Sequence, residues 1–497
     1  MGIVRKQSIY SFLFIFIGFF IGAANVLLLF TNFLTQEEYG LTNVFRQFYT
    51  LFSTLATFGS ITAFYKFYPL YQNRLGKERN DLPFLVLLVC FAGCVLLIAG
   101  SVLFKDLIIR KYSEHSPLFV RHFYLVLPLT VSTILMNLFE GYAYMLKRTV
   151  ISNIVKEVGF RLVQTVLIVL YAFKVIHIDT FFLLFSLMYI PSIAVMIFLV
   201  FSNNGVKINF RISGLTKRIY RKIASFSLFH FSGSIIAILP MTMNGILIAS
   251  LSKNGLADVG VYGIAVFMIS VLDVPLRGIR GIGIATISEA FHENDMEKIK
   301  RLYQKTSLNL LIVGICLYGL IYPNIENVIS FSKGKDFHPA IMIFMISGTA
   351  KLIELSMGMN DRILGLSRHW KVEFFITTSV ILLSIPANYF LIRANPLLGA
   401  AIGDALILFL FCLLRFIAVW RLYKMQPFTR KTLAVTGIGL ICLLLTLLIP
   451  RMPHAVVDLG IRCAVFLTLF AIPVLALGIS KDMNELYRMA LQKTLKR

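Results

Sequence analysis

Long apolar runs, separated by short charged or turn-rich breaks, set the pattern of this chain. Fourteen stand out, at 9–32, 42–67, 83–104, 118–140, 150–173, 179–201, 222–250, 258–283, 304–324, 338–358, 371–392, 398–420, 432–449 and 456–478. An α-helix needs about 20 apolar residues to cross the ~30 Å hydrocarbon core of a bilayer. The pattern therefore predicts an all-α polytopic membrane protein of about 14 transmembrane helices. The run at 42–67 is the least apolar. Its break from the first run, Thr35-Gln36-Glu37-Glu38-Tyr39-Gly40, is short. An even number of spans puts both termini on one side.

Composition agrees. Of 497 residues, 58% are hydrophobic and 14% charged, where soluble domains carry roughly 25% charged. Fourteen spans need about 280 residues, which matches that apolar share. Disorder, coiled coil, a secreted disulfide scaffold and a soluble enzyme are disfavoured. Cys90, Cys94, Cys316, Cys412, Cys442 and Cys463 all fall inside apolar runs and read as small core residues. The first run is too long for a signal-peptide core and lacks a small-x-small cleavage site, so it reads as an uncleaved span.

The net charge of +24 is explained by topology. With the N-terminus in the cytoplasm, the basic residues concentrate in the cytoplasmic segments by roughly threefold, as the positive-inside rule requires. Examples are Arg74, Lys77 and Arg79; Lys207, Arg211, Lys217, Arg218, Arg221 and Lys222; and the tail Lys481, Arg488, Lys493, Lys496 and Arg497. These charges face anionic lipid, and no nucleic-acid partner is needed.

An internal repeat is visible. Glu38-Tyr39-Gly40-Leu41 opens the second run, and Val261-Tyr262-Gly263-Ile264 lies near the start of the eighth. The expected organisation is an N-terminal six-helix bundle (1–202), a cytoplasmic linker (203–221), a second six-helix bundle (222–425), and two extra helices with a basic tail (426–497). Two parallel halves with a substrate site between them are a known transporter plan.

No Gly-x-x-x-x-Gly-Lys-Ser/Thr loop and no His-Glu-x-x-His occurs, so neither nucleotide hydrolysis by that route nor a metal site is expected. Gly278-x-x-Gly281-x-Gly283 has the wrong spacing for a dinucleotide loop. No catalytic residue, metal or cofactor is assigned, and the chain is read as a mover of substrate, not an enzyme.

The most informative residues are charges inside the spans, each costing roughly 2.5–3.5 kcal/mol at mid-bilayer unless paired or wetted. The basic set is Arg46, Lys156, Arg161, Arg277, Arg280, Lys351, Arg415 and Arg462. The acidic set is Glu157, Asp273, Glu354 and Asp404, with Glu140 and Glu373 at span ends. The excess is cationic, so a cleft lined by Arg46, Arg161, Arg277, Arg280 and Lys351 would bind an anion. Each has a plainer reading. Arg277 and Arg280 could snorkel to headgroups, Asp273 could pair with Arg277 four residues on, and Lys351 could pair with Glu354. Lys156, Glu157 and Arg161 could be interfacial. Prolines fall in mid-span at Pro128, Pro191, Pro240, Pro275 and Pro386. They are static kinks or, at Pro240 and Pro275 above all, bending points.

Several stretches resemble bacterial polysaccharide flippases: Ile3-Val4-Arg5-Lys6-Gln7-Ser8-Ile9, the Tyr39-Gly40-Leu41 turn, and Gly59 through Phe64-Tyr65-Lys66-Phe67-Tyr68-Pro69. So do Ser288-Glu289-Ala290-Phe291, Asn294 to Ile299, Asn360 to Arg368, and Asn388-Tyr389-Phe390-Leu391-Ile392 through Leu398-Gly399-Ala400-Ala401-Ile402-Gly403. The Arg393-Ala394-Asn395-Pro396 segment departs from the family's usual Ile-Pro. The resemblance implies the fold of the multidrug/oligosaccharidyl-lipid/polysaccharide superfamily. It also implies transfer of a polyprenyl-diphosphate-linked oligosaccharide from the cytoplasmic to the periplasmic leaflet of the bacterial inner membrane, for O-antigen, capsule or exopolysaccharide assembly. No binding residue carries over by motif. Na+ or H+ antiport would engage Asp273 or Glu354. A monomer is expected, with a polysaccharide polymerase as candidate associate. The alternatives are a drug/cation antiporter, which predicts an acidic cleft, a lipid II flippase, and a scaffold without transport.

Overall fold

The computed structural model of the chain describes residues 14, 17–146, 148–202, 207–331, 336–480, 482 and 484. The Ile3–Ile9 segment and the tail cations Lys481, Arg488, Lys493, Lys496 and Arg497 lie outside the described residues. Among the described residues the regular structure is helical throughout. In chain order the helices are α1 (Ile17–Phe33), α2 (Gln36–Thr57), α3 (Ser60–Leu75), α4 (Leu82–Leu103), α5 (Lys105–Tyr112), α6 (Pro117–Met145), α7 (149–172), α8 (Ile178–Phe201) and α9 (Gly214–Leu251). They continue with α10 (Leu256–Leu272), α11 (Val274–His292), α12 (Met296–Ser330), α13 (Pro339–Ser356), α14 (Asn360–Leu366), α15 (Trp370–Ala394), α16 (Pro396–Tyr423), α17 (Arg430–Leu447) and α18 (Ala455–Ala476). Ten of these stretches are long and apolar enough to cross a bilayer, and α1 and α10 are shorter apolar helices. The protein is an all-α, multi-pass membrane protein.

The helix breaks follow proline chemistry. Proline lacks an N–H and clashes with the carbonyl four residues back, but the first helical turn tolerates it. Three prolines expected in mid-span stand in such turns. Pro128 is the third residue after a 3-10 turn at Phe123–Leu125 in α6. Pro191 restarts α8 after a turn at its middle. Pro275 opens α11, so the expected span 258–283 is two helices broken at Asp273. Pro240 and Pro386 do lie inside α9 and α15. The second span is broken as well. Phe58 and Gly59 both take left-handed backbone (φ 45° and 69°) between α2 and α3.

One expected turn is helical. Thr35 and Glu38 form a reciprocal capping box, so α2 starts at Gln36 and Tyr39-Gly40-Leu41 lies in its first turns, not in a turn. Val261–Ile264 is likewise inside α10. The glycines serve close helix approach. A side chain at Gly40 would overlap the Leu256 carbonyl, one at Gly260 the Gln36 carbonyl, and one at Gly263 the Asn43 amide. These glycines therefore let α2 and α10 cross closely.

The chain divides into two compact units, Met1–Gly263 and Ile264–Arg497. In the first, α9 packs along α2, with Gln47 filling the space over Gly245. Ser116 donates to the Ala249 carbonyl at 2.6 Å. An aromatic core of Phe45, Phe48, Phe119, Phe123 and Phe182 joins α2, α6 and α8. In the second unit, Phe466 and Phe470 of α18 pack with Ile315 of α12 and Val435 of α17. Ile287, Tyr303, Met359, Ile363 and Val419 form another cluster there.

Candidate functional site

The first unit holds a polar cavity of about 430 Å3. Helices α2 and α3 supply Ser53, Thr54, Thr57, Thr62 and Tyr65, α6 supplies Asn137 and Glu140, and α9 supplies Ser234. The low apolarity of the second run was the signal for this wall. Its hydroxyls donate to backbone one turn back, as in Thr54 to the Thr50 carbonyl (2.9 Å) and Thr57 to the Thr54 carbonyl (3.1 Å). A hydroxyl has one proton and two lone pairs, so this wall can still accept hydrogen bonds from a hydroxylated ligand.

Glu140 is the charged member of the wall. Its side chain is 8% exposed and is held by Lys156 Nζ at 2.6 Å. Tyr144 donates to its other oxygen at 2.8 Å and also reaches Asn153 at 3.0 Å. This arrangement, 16 positions apart in the chain, left no sequence signal. Lys156 and Glu157 sit in a π-helical turn, Val155–Gly159, and Asn25 opens another, Asn25–Phe30. Such turns are rare and recur at functional sites. Asn25 binds the α-helical stretch that follows the Val155–Gly159 turn, donating to the Arg161 carbonyl (2.9 Å) and accepting from Thr165 (2.7 Å). Arg161 itself lies over Gly18 and Gly22 of α1, whose missing side chains leave it room. It pairs with Glu157 at 3.1 Å and covers the Phe160 ring at 5.2 Å.

In the second unit Lys351 Nζ lies 2.5 Å from both Asp273 and Glu354. Three sequence-selected residues thus meet at one point. Asp273 takes Lys351 as its partner, not Arg277, because the break before α11 turns its carboxylate toward α13. Arg415 makes a forked contact with Glu373 (2.6–3.1 Å) and covers Phe411 at 4.6 Å. Arg462 is buried, bonds Asp458 at 2.7 Å, and donates to the Thr446 and Ile449 carbonyls at the end of α17. Its place is structural.

Much of the cationic excess read from the sequence is therefore neutralised locally. Arg46 is exposed and bonds the neutral Asn43 side chain. Arg277 is exposed on α11. Among the described residues, neither has a carboxylate at ion-pair distance. The Arg280 side chain lies outside the described residues. A second cavity, apolar and about 350 Å3, is bounded by α12, α13, α17 and α18.

Solved structures of other multi-pass membrane proteins share the fold of this all-helical chain. One is the lipid II flippase MurJ in an inward closed conformation: TM-score 0.72, 14% identity, 95% of this chain and 99% of that one. Another is an inward-facing multidrug resistance MATE family transporter of the MOP superfamily: TM-score 0.64, 14% identity, 84% of this chain and 99% of that one. A MATE in complex with MaL6 aligns at TM-score 0.54 and 13% identity, over 84% of this chain and 96% of that one. No protein-family model matches the chain, and no curated protein sequence does either.

Proposed function

We propose that this protein is a flippase that moves a polyprenyl-diphosphate-linked oligosaccharide across the bacterial inner membrane by alternating access, with both termini cytoplasmic. The supporting observation is the extent of its structural likeness. The alignment with the flippase takes in 95% of the chain, whereas that with the inward-facing MATE transporter takes in 84%. Two features of the chain suit such cargo. Arg46 and Arg277 are the cations left to meet a diphosphate, and the hydroxyl wall around Ser53, Thr57 and Thr62 suits a sugar. Arg161 and Lys351 become available where an anion competes with their carboxylates for the cation, and Arg280 is the remaining proposed binding residue. Asp273 and Glu354, sharing one lysine, are the proposed coupling carboxylates for Na+ or H+. Pro240 and Pro275 are the proposed bending points.

One observation favours a second reading. The charged group in the wall of the polar cavity is the Glu140 carboxylate, which suits a drug/cation antiporter. The test is deletion of the gene, with chemical analysis of lipid-linked glycans in inverted and right-side-out vesicles. A flippase leaves glycan accumulated on the cytoplasmic face, and Arg46→Ala/Arg277→Ala, inserted normally, does the same. Unchanged glycan distribution with raised sensitivity to cationic drugs overturns the flippase reading in favour of the antiporter. Rescue of cells depleted of their lipid II flippase assigns the cargo to peptidoglycan instead.

A further inference from the structure

An apolar slot of about 380 Å3 lies in the first unit, away from the polar cavity's hydroxyl wall. Its sides are α4, through Leu85, Val86 and Val89, and α9, through Tyr220, Ala224 and Leu228. One end is closed by Phe58 and Ser60 at the α2–α3 break. There α9 rests so closely on Gly59 that any side chain would strike the Ser227 carbonyl. The other end lies at Thr216, the first turn of α9. That turn is fixed in place by buried Asp81, which accepts from Ser213 N at 2.8 Å and Thr216 Oγ1 at 2.7 Å. Along α9 the slot runs from Thr216 to Leu228, about 18 Å at 1.5 Å per residue. The α4 wall runs from Leu82 to Val89, about 10 Å at 1.5 Å per residue, so the slot fits within one leaflet, which has about half of the ~30 Å hydrocarbon thickness. Ala224 and Leu228 are exposed along it, so it opens sideways.

The Thr216 end is strongly basic. Positions 74–81 and 207–222 carry nine lysines and arginines against two carboxylates, Glu78 and Asp81, with Glu78 paired to Lys207 at 2.7 Å. Lys217 and Arg221 each follow a slot residue by one helical position, and Arg221 Nε bonds the Tyr220 hydroxyl at 3.1 Å. On the other face of α9, Lys66 lies 3.9 Å over the Phe226 ring, tying α3 to α9. The slot is thus a fixed gap between braced helices, apolar within one leaflet and cationic at its mouth.

We propose that this slot is a specific site for an anionic phospholipid of the surrounding bilayer. One acyl chain lies between α4 and α9, and the headgroup phosphate is met by Lys217 and Arg221. The length and the charge at one end together select this occupant. A zwitterionic lipid brings the same phosphate with a cation of its own that repels Lys217 and Arg221, and a soluble anion would leave the slot empty.

The test titrates the purified full chain in detergent micelles with phosphatidylglycerol and with phosphatidylcholine, and counts bound lipid by native mass spectrometry. The wild type should hold one phosphatidylglycerol at least about fivefold more tightly than phosphatidylcholine, the factor expected from about 1 kcal/mol per basic residue near an anionic surface. Lys217→Gln/Arg221→Gln should erase that preference and keep the site. Ala224→Trp should lose the site for both lipids, and Leu228→Trp, which blocks it from the exposed rim, provides a second variant if the first misfolds. Equal affinity of the wild type for the two lipids overturns the proposal. So does undiminished phosphatidylglycerol binding in a folded tryptophan variant.

Discussion

Arg462 shows how a full charge persists where water is scarce. Its side chain is 4% exposed and Asp458 is 2% exposed. The guanidinium also closes two carbonyls left open at the end of α17, the groups that every helix C-terminus leaves unpaired. Asp458 in turn accepts from Asn327 at 2.6 Å. Removing one partner of a buried pair strands the other, which costs about 3–5 kcal/mol. Arg462→Ala is therefore expected to lower the thermal midpoint of the purified protein sharply. Arg462→Ala/Asp458→Ala should recover part of the loss, because no charge is then stranded. Equal midpoints for wild type and Arg462→Ala would contradict the structural role. Position in the sequence set Arg462 apart from Arg46 and Arg277 only in that its span lies outside the two expected six-helix halves, and it did not show that Arg462 is buried and paired. What separates them is a partner four residues away that points the right way, and neighbouring carbonyls that only the fold brings near.

Helix α2 shows which features of an element can be read from its residues. The Thr35-x-x-Glu38 spacing is a capping signal that places the start at Gln36, six residues before the expected start at 42 and through the expected turn, whereas the low apolarity of the run did point to a polar wall. The spans themselves were legible because bilayer thickness fixes their length. The breaks at Phe58-Gly59 and Asp273, and the π-helical turns beside Lys156 and Asn25, were not. They depend on what packs against each helix. Gly40 is the clearest case, because glycine serves a turn and a close helix crossing equally well by composition, and only the Leu256 backbone beside it decides. Overfilling such a contact costs typically 1–3 kcal/mol. Gly40→Val is expected to destabilise the protein by about that amount or more and to prise α2 from α10. Gly437→Ala, where nothing lies within 4 Å, should be neutral. Comparing the thermal midpoints of the two variants checks this, and an unchanged Gly40→Val would mean the crossing is slack.

At the scale of the whole molecule the proposed flippase activity raises the question of how much charge would move with its cargo. Lys156 with Glu140, Arg161 with Glu157, and Arg415 with Glu373 travel as near-neutral pairs and contribute little. Asp273, Lys351 and Glu354 together carry one net negative charge unless an ion or proton joins them. Arg46 and Arg277 contribute positive charge to whatever segment bears them. For an anionic cargo moving outward, an inside-negative potential supplies about 2.3 kcal/mol per net charge per 100 mV. If one net negative charge crosses per cycle, 100 mV should therefore shift the inside-to-outside ratio by roughly 50-fold. Proteoliposomes clamped with potassium and valinomycin provide the measurement, with a labelled polyprenyl-diphosphate glycan as cargo. Outward movement should rise with an inside-negative potential and fall when its sign is reversed. Glu354→Gln, which leaves Lys351 with one carboxylate, should weaken dependence on an imposed Na+ or H+ gradient while dependence on potential persists. If transport ignores the potential and follows only the ion gradient, the Asp273–Lys351–Glu354 group must take up a cation in each cycle. The charges cancel only if that cation travels outward with the cargo; a cation moving inward in exchange would add to the anion's outward movement and steepen the dependence on potential.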